Sequence, residues 1–272
     1  MAKVVACMPA WNAARFIVPV LQSLADQTYT NLDVLISVDP GDDETAAICE
    51  AFASRRPNFS VIRQPSRLGW VGNSNWLLRH ARGEFFFFAA HDDPLHPTYV
   101  ARLVEALERH PGAVLAFCDM RSDRGIERYC DLEGVVDRFE RARRVLLPIG
   151  PWWCPHRGVF RAQAAAEVGG LRRHRGGEGG VDWVWLMALA VRGEVVRVAE
   201  PLIVKNRRAD GLNAQLIRSQ TIWKRLFLTL ACLREIRRVR PPLATAMRLH
   251  VDGLIRFLRG ELWNAARHRA KR

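Results

Sequence analysis

Between Gly83 and Asp93 the chain runs GEFFFFAAHDD, an unbroken apolar stretch that ends on two adjacent carboxylates, Asp92 and Asp93. Four successive Phe and two Ala leave no polar face, so the segment reads as a strand buried on both sides, the kind found inside parallel sheets. Open parallel sheets carry their chemistry beyond the carboxyl ends of the strands. Two hard oxygen ligands at such an end suit a divalent cation that holds the phosphates of a nucleotide. The same residues, as His91-Asp92-Asp93-Pro94, also make a turn and a helix cap. The rest of the chain has to separate the two readings.

Strand-type and helix-type segments alternate through the first half. Val4 to Met8, Val34 to Val38, Ser60 to Arg63, Phe85 to Ala90 and Val114 to Phe117 are short, apolar and mostly β-branched or aromatic. Amphipathic stretches lie between them at Phe16 to Ala25, Glu44 to Ala53, Asn73 to Ala81 and Tyr99 to Arg109. This pattern predicts an α/β fold with a mostly parallel central sheet and helices on both faces. Right-handed crossovers bring the loops Pro9 to Asn12, Asp39 to Thr45 and His91 to Pro94 to one edge. Beyond a charged stretch without clear period, with a helix around Asp137 to Val145, a strand is expected at Gly158 to Arg161. Helices follow at Ala162 to Val168 and, after the glycine-rich Arg172 to Gly180, at Asp182 to Val191.

The net charge of +13 raises a nucleic-acid hypothesis, and its location argues against one. From Ala214 to Arg272 there are 14 Lys and Arg against three acids, while residues 1–213 hold 27 basic and 25 acidic residues. The division predicts a nearly neutral domain at 1–213 and a basic helical extension at 214–272. In the extension, Leu226 to Leu233 is too short to span a bilayer, which needs about 20 apolar residues. Met247, Val251, Leu254, Leu258 and Leu262 recur at helical spacing with Arg248, Arg256 and Arg259 between them. Such helices pack on their own domain, pair with another subunit, or lie on an anionic membrane. The N-terminus enters an apolar run without a charged leader, so the expected compartment is the cytoplasm, or the inner face of the cell membrane if the tail docks there. Six scattered cysteines, none in a CxxC pair, read as reduced core residues.

The ordered set of these pieces resembles the family 2 glycosyltransferases of the GT-A fold over roughly residues 3–213. Val4 to Asn12 is similar to an opening strand that ends in P-x-Y-N, and Leu24 to Thr45 to the S-x-x-x-Q-T-Y block that runs into V-V-D-D-G-S. Leu68-Gly69 through Asn75 resembles L-G-x-x-x-A-R-N, and Ala81 through Asp93 resembles A-x-G-E-Y-I-x-F-L-D-x-D-D. Val168 to Leu171 and Val181 to Leu189 are similar to the V-G-G-F and E-D-W-D-L blocks. The chain departs from those patterns at Val38, Pro40, Ala90, Val181 and Arg208, but keeps Asp39, Asp93 and Asp182.

The resemblance implies a nucleotide-sugar donor, an acceptor hydroxyl on a glycan, lipid-linked or other carrier, and Mg²⁺ or Mn²⁺ to neutralise the departing diphosphate. It assigns Asp93 as direct metal ligand, with Asp92 on the ribose or supporting the metal shell. It places Pro9, Ala10, Trp11, Asn12, Asp39 and Asn75 around the donor. Inversion at the anomeric carbon needs a base for the acceptor proton. Asp182 takes that role, with Glu178 in reserve. Asp39 also fits a turn, Asp182 a helix N-cap, and Trp11 a core lid. Trp152 and Trp153 suit contact with an acceptor sugar, Trp185 suits the core, and Arg207 and Arg208 either meet the diphosphate or are solvated. Ala90 and Val181 keep open a non-catalytic scaffold on the same fold. A basic nucleic-acid binder is the third possibility and predicts steep salt dependence of oligonucleotide binding.

Overall fold

The structure is a computed structural model that describes residues 1–129, 132–147, 153–207, 215–216, 219 and 221–269, with side chains as far as residue 259. Its first half alternates strand and helix: β1 (Val4–Ala10), α1 (Ile17–Ala25), β2 (Leu32–Val38), α2 (Thr45–Ala53), β3 (Phe59–Arg63), α3 (Gly69–His80), β4 (Phe85–Phe88) and α4 (Tyr99–Arg109). Strands β3, β2, β1 and β4 lie side by side in that order and run parallel. The carboxyl ends of β1, β2 and β4 therefore share one edge, as the alternation in the sequence requires.

The four phenylalanines of β4 are all buried, and the pleat sends them to opposite faces. Phe87 meets Tyr99 of α4 with ring centroids 5.3 Å apart. On the other face Phe86 stacks on Phe160 at 5.4 Å, and Phe88 meets Trp185 at 5.8 Å. Each such ring contributes about 1.5–3 kcal/mol by leaving water. The strand with no polar face thus fixes helices on both sides of the sheet.

The second half is less regular. β5 (Ala113–Ser122) and β6 (Gly125–Glu127) form a hairpin, followed by α5 (Arg138–Leu146), a 3-10 turn (Pro155–Arg157), β7 (Val159–Arg161), α6 (Ala162–Val168), α7 (Val181–Ala190) and β8 (Glu194–Val204). β7 is inserted antiparallel between β4 and β5, and β8 runs parallel to β5. The pattern reading stopped β5 at Phe117 and assigned no strand to β8. Register shifts at Cys118/Asp119 and Asp119/Met120 break the two-residue period in this pair and account for both omissions.

α7 is apolar all round, and every residue from Trp183 to Ala190 is buried. It is covered by α8 (Ile222–Arg238), which in turn contacts α9 (Leu243–Arg269). Trp183 donates its indole N–H to the carbonyl of Val145 in α5 at 2.8 Å, and the guanidinium of Arg256 in α9 lies 4.0 Å from the Trp183 ring. Arg143 pairs with Asp252 at 3.1 Å. Of the three fates the sequence left open for the tail, packing on the domain is seen for α8 and for one face of α9. The Leu262 side chain lies outside the described residues. No helix among the described residues is long and apolar enough to cross a membrane. The described cysteines, Cys7, Cys49, Cys118, Cys154 and Cys232, are free and buried.

Candidate active site

The loops after β1 and β2 are tied to each other. Trp11 donates its indole N–H to the carbonyl of Pro40 at 3.1 Å, and Arg67 lies over its exposed ring at 3.6 Å. Asn12 adopts φ +44° and accepts the N–H of Asp42 at 3.0 Å. A side chain at Gly41 would meet Asn12 Oδ1 at 2.0 Å, so only glycine allows this approach. Asp43 accepts the N–H of Ala14 at 2.9 Å and closes the pair of loops. Pro9 and Ala10 form the end of β1 beneath them, with Ala10 buried.

Asp39 is buried at the end of β2, where it accepts the N–H groups of Leu68 at 3.2 Å and Gly69 at 2.9 Å. These amides begin α3, a position that favours an anion. Burial pushes the Asp39 carboxyl up, and the two hydrogen bonds and the charge of Arg67 oppose the rise. Asp39 is therefore an anchor between loops rather than an isolated turn residue.

At the end of β4 the two carboxylates occupy different environments. Asp93 is 2% exposed and accepts Lys205 Nζ on both oxygens, at 2.8 and 3.1 Å, and the N–H of Asn206 at 2.9 Å. Arg157 adds an ion pair at 3.4 Å. The carboxylate expected to be the direct metal ligand is thus engaged by a lysine, an amide and a guanidinium. The partly exposed member of the pair is Asp92, whose main-chain carbonyl accepts Asn206 Nδ2 at 2.5 Å. Among the described residues no group of three or more His, Cys, Asp or Glu could enclose a metal ion. Mg²⁺, however, accepts one carboxylate completed by substrate phosphates and water. Asp92 is the more exposed member of the pair.

Asp182 is the second residue of α7. The N-cap is Gly180, in the left-handed region at φ +78°, so the capping position considered for Asp182 lies two residues before it. The Asp182 carboxylate accepts the N–H of Trp183 at 3.0 Å. Burial pushes its carboxyl up to about 6, against that hydrogen bond and the charge of Arg157. Arg157 thus acts on both acids, by ion pair to Asp93 and by its field on Asp182. Beside it, His156 stacks on Phe88 at 5.6 Å and meets Trp185 edge-on at 6.1 Å, which joins the end of β4 to α7. Burial, followed by the charge of Arg157, pushes the His156 imidazole down to about 3 and keeps it neutral. His156 Nδ1 and Trp185 Nε1 are buried without a hydrogen-bond partner among the described residues.

Other expected residues are engaged elsewhere. Asn75 donates to the Leu171 carbonyl and accepts the Leu171 N–H, both at 2.8 Å, so its amide is used to hold a loop and the donor contact expected of it is corrected. Glu178 is paired with Arg173 at 2.6 Å. Trp185 is buried, as a core residue should be. Trp153 donates to Glu127 at 2.9 Å, and Arg207 is bound by Glu127 and by Asp123. Arg207 and Asp123 border an open cavity of about 370 Å³ that is also lined by Arg121, Ser122, Val204, Lys205 and Asn206. Trp152 and Arg208 lie outside the described residues.

The sequence reading missed Arg67, His156, Arg157, Lys205 and Asn206. Lys205 and Asn206 follow an apolar strand end just as Asp92 and Asp93 do, so the same rule would have found them had β8 been recognised.

Residues 5–169 match the family model described as glycosyl transferase family 2. The chain is 28% identical over 184 residues to a Sinorhizobium fredii protein, a stretch that is 66% of this chain and 19% of that one. It spans between 19% and 66% of the length of the first curated relatives it matches. Residues 1-349 of S. aureus TarS in complex with UDP-GlcNAc align with a TM-score of 0.74 at 17% identity, over 93% of this chain and 72% of that one. The mannosyltransferase PcManGT from Pyrobaculum calidifontis, in complex with GDP-Man and Mn²⁺, aligns at 0.60 and 17% identity, over 97% and 88%. At these identities the likeness is one of fold. The match over more than half of the chain, together with the strand order and the acids at the strand ends, makes this protein a member of glycosyl transferase family 2 built on the GT-A fold.

Proposed function

We propose that the chain moves a sugar from a nucleoside-diphosphate-sugar donor to an acceptor hydroxyl of a glycan or lipid-linked sugar, with inversion at the anomeric carbon. The observation that carries this reading is the linkage of Asp182, its carboxyl pushed up to about 6, through Arg157 to Asp93 at the end of β4. An acid with that value is ionised at neutral pH and still basic enough to take a proton. As the acceptor oxygen bonds to the anomeric carbon, its proton passes to Asp182. The bond from that carbon to the phosphate oxygen breaks, and the electron pair leaves on the nucleoside diphosphate.

The loops bearing Trp11, Asn12 and Asp39 receive the nucleoside, with Arg67 beside them. Asp92 is the carboxylate that would hold Mg²⁺ or Mn²⁺ together with the donor phosphates, where the cation supplies charge to offset the departing diphosphate. Asp93, locked to Lys205 and Asn206, fixes the turn that presents Asp92. The nucleotide sugars bound by TarS and PcManGT, and the Mn²⁺ in the latter, support this arrangement and make UDP-GlcNAc the first donor to try.

Asp182→Asn tests the reading. Donors are first found by the rise they cause in melting temperature, with and without Mn²⁺. The variant should keep that rise, while release of nucleoside diphosphate in the presence of acceptor falls by about 10²–10⁴-fold. An unchanged rate would remove Asp182 as the base.

A further inference from the structure

The last helix is inverted with respect to solvent. The face of α9 turned to the protein carries Leu249, Asp252 and Arg256. Asp252 is paired with Arg143, while Arg256 donates to Thr229 at 2.8 Å and lies over Trp183. The solvent face carries Leu243, Met247, Val251, Leu254 and Leu258, which are 49–77% exposed. At about 100° per residue these five positions fall within an arc of about 80°, opposite the packed face. Exposed Arg248 and Arg259 lie together beside one edge of the arc, about 60–80° from it. On α8, Trp223 is 65% exposed, and Leu230, Arg234 and Arg237 recur on the same side of that helix, all exposed. A surface helix ordinarily shows charge to water and hides its leucines. Here ionic side chains are inside and a continuous apolar stripe is outside.

We propose that this face docks on an anionic phospholipid bilayer. α9 would lie in the plane of the interface, with the Leu243 to Leu258 stripe at the acyl boundary and Arg248 and Arg259 among the headgroups. Charge selects this occupant over a second copy of the chain. A twofold interface would set the exposed Arg234, Arg237, Arg248 and Arg259 of one copy against those of the other. An anionic surface instead offers the exposed Arg234, Arg237, Arg248 and Arg259 a counter-charge. The proposal does not depend on the transfer reaction, and its test is read without activity.

The full chain is floated with vesicles of phosphatidylcholine alone and with vesicles in which about one third of the lipid is phosphatidylglycerol. Binding is expected to the second, about tenfold weaker at high salt and on neutral vesicles. Met247→Glu combined with Leu254→Glu should abolish flotation while leaving the melting temperature unchanged, because neither side chain packs in the domain. Arg248→Glu with Arg259→Glu should weaken it selectively at low salt. Failure of the native chain to float with anionic vesicles overturns the proposal, as does unchanged flotation of M247E/L254E. So does a native dimer in sedimentation that M247E/L254E converts to monomer, since the stripe would then be covered by a second copy.

Discussion

The two sides of the site are built on different principles. On the proposed nucleoside side, the loops bearing Trp11 and Asn12 and bearing Pro40, Asp42 and Asp43 are tied mainly through backbone amides and carbonyls, and Asp39 holds the start of α3. On the transfer side, Asp93, Arg157, Asp182 and Lys205 come from four distant segments and hold each other through charge. A network of hydrogen bonds fixes shape, whereas a network of charges fixes protonation. Binding needs the first property and proton transfer the second.

The comparison breaks most readily at Asp93. Asp93→Asn leaves Lys205 and Arg157 facing each other without their counter-charge. It should cost about 3 kcal/mol in denaturant unfolding, at the lower end for a broken buried pair because both cations keep some solvent. Asp92→Asn, at a partly exposed carboxylate, should cost less stability than that and weaken donor binding in the presence of Mn²⁺. If the two variants exchanged these effects, Asp93 would be the carboxylate that meets the donor.

A smaller loss should follow on the nucleoside side. Asp39→Ala removes the acceptor for two amides at the start of α3, for about 2 kcal/mol, with little change in the pH dependence of transfer. A shift of the pH profile in that variant would show that the two sides are not separate.

The smallest expected effect concerns Asp182 and runs against its usefulness. Its folded value, about 6, is above that of an unfolded aspartate. The folded state therefore binds the extra proton between about pH 4 and 6, and stability falls as pH rises through that window. Asp182→Asn should raise stability at pH 8 by on the order of 1 kcal/mol and leave it unchanged below about pH 4. Transfer by the native chain should decline as pH drops below about 6, where the base becomes protonated. A variant that is no more stable at pH 8 would place Asp182 in a more hydrated setting than its burial indicates.

How much of this was legible in the sequence follows the same division. That Asp39, Asp92 and Asp182 stand at the ends of elements was legible because strand and helix periods locate those ends, which are local properties; the roles given to them came from the resemblance. Asp93 was located but given the wrong surroundings, since Lys205 is more than a hundred residues away on a strand whose period is broken by register shifts. Asn75 looked like a ligand contact for a similar reason. Its partner, Leu171, lies 96 residues on, and nothing within α3 announces it. Arg157 follows the indistinct charged stretch, and only packing brings it between two acids.

The position of β7 has a consequence for how this chain must be made. β4, with its four phenylalanines, pairs with β1 on one edge, and its other edge is closed by Val159 to Arg161. Until residue 161 has left the ribosome, that edge is an open template for any other extended chain. Nascent or truncated forms ending between α4 and β7 should therefore depend on chaperones and collect in inclusion bodies.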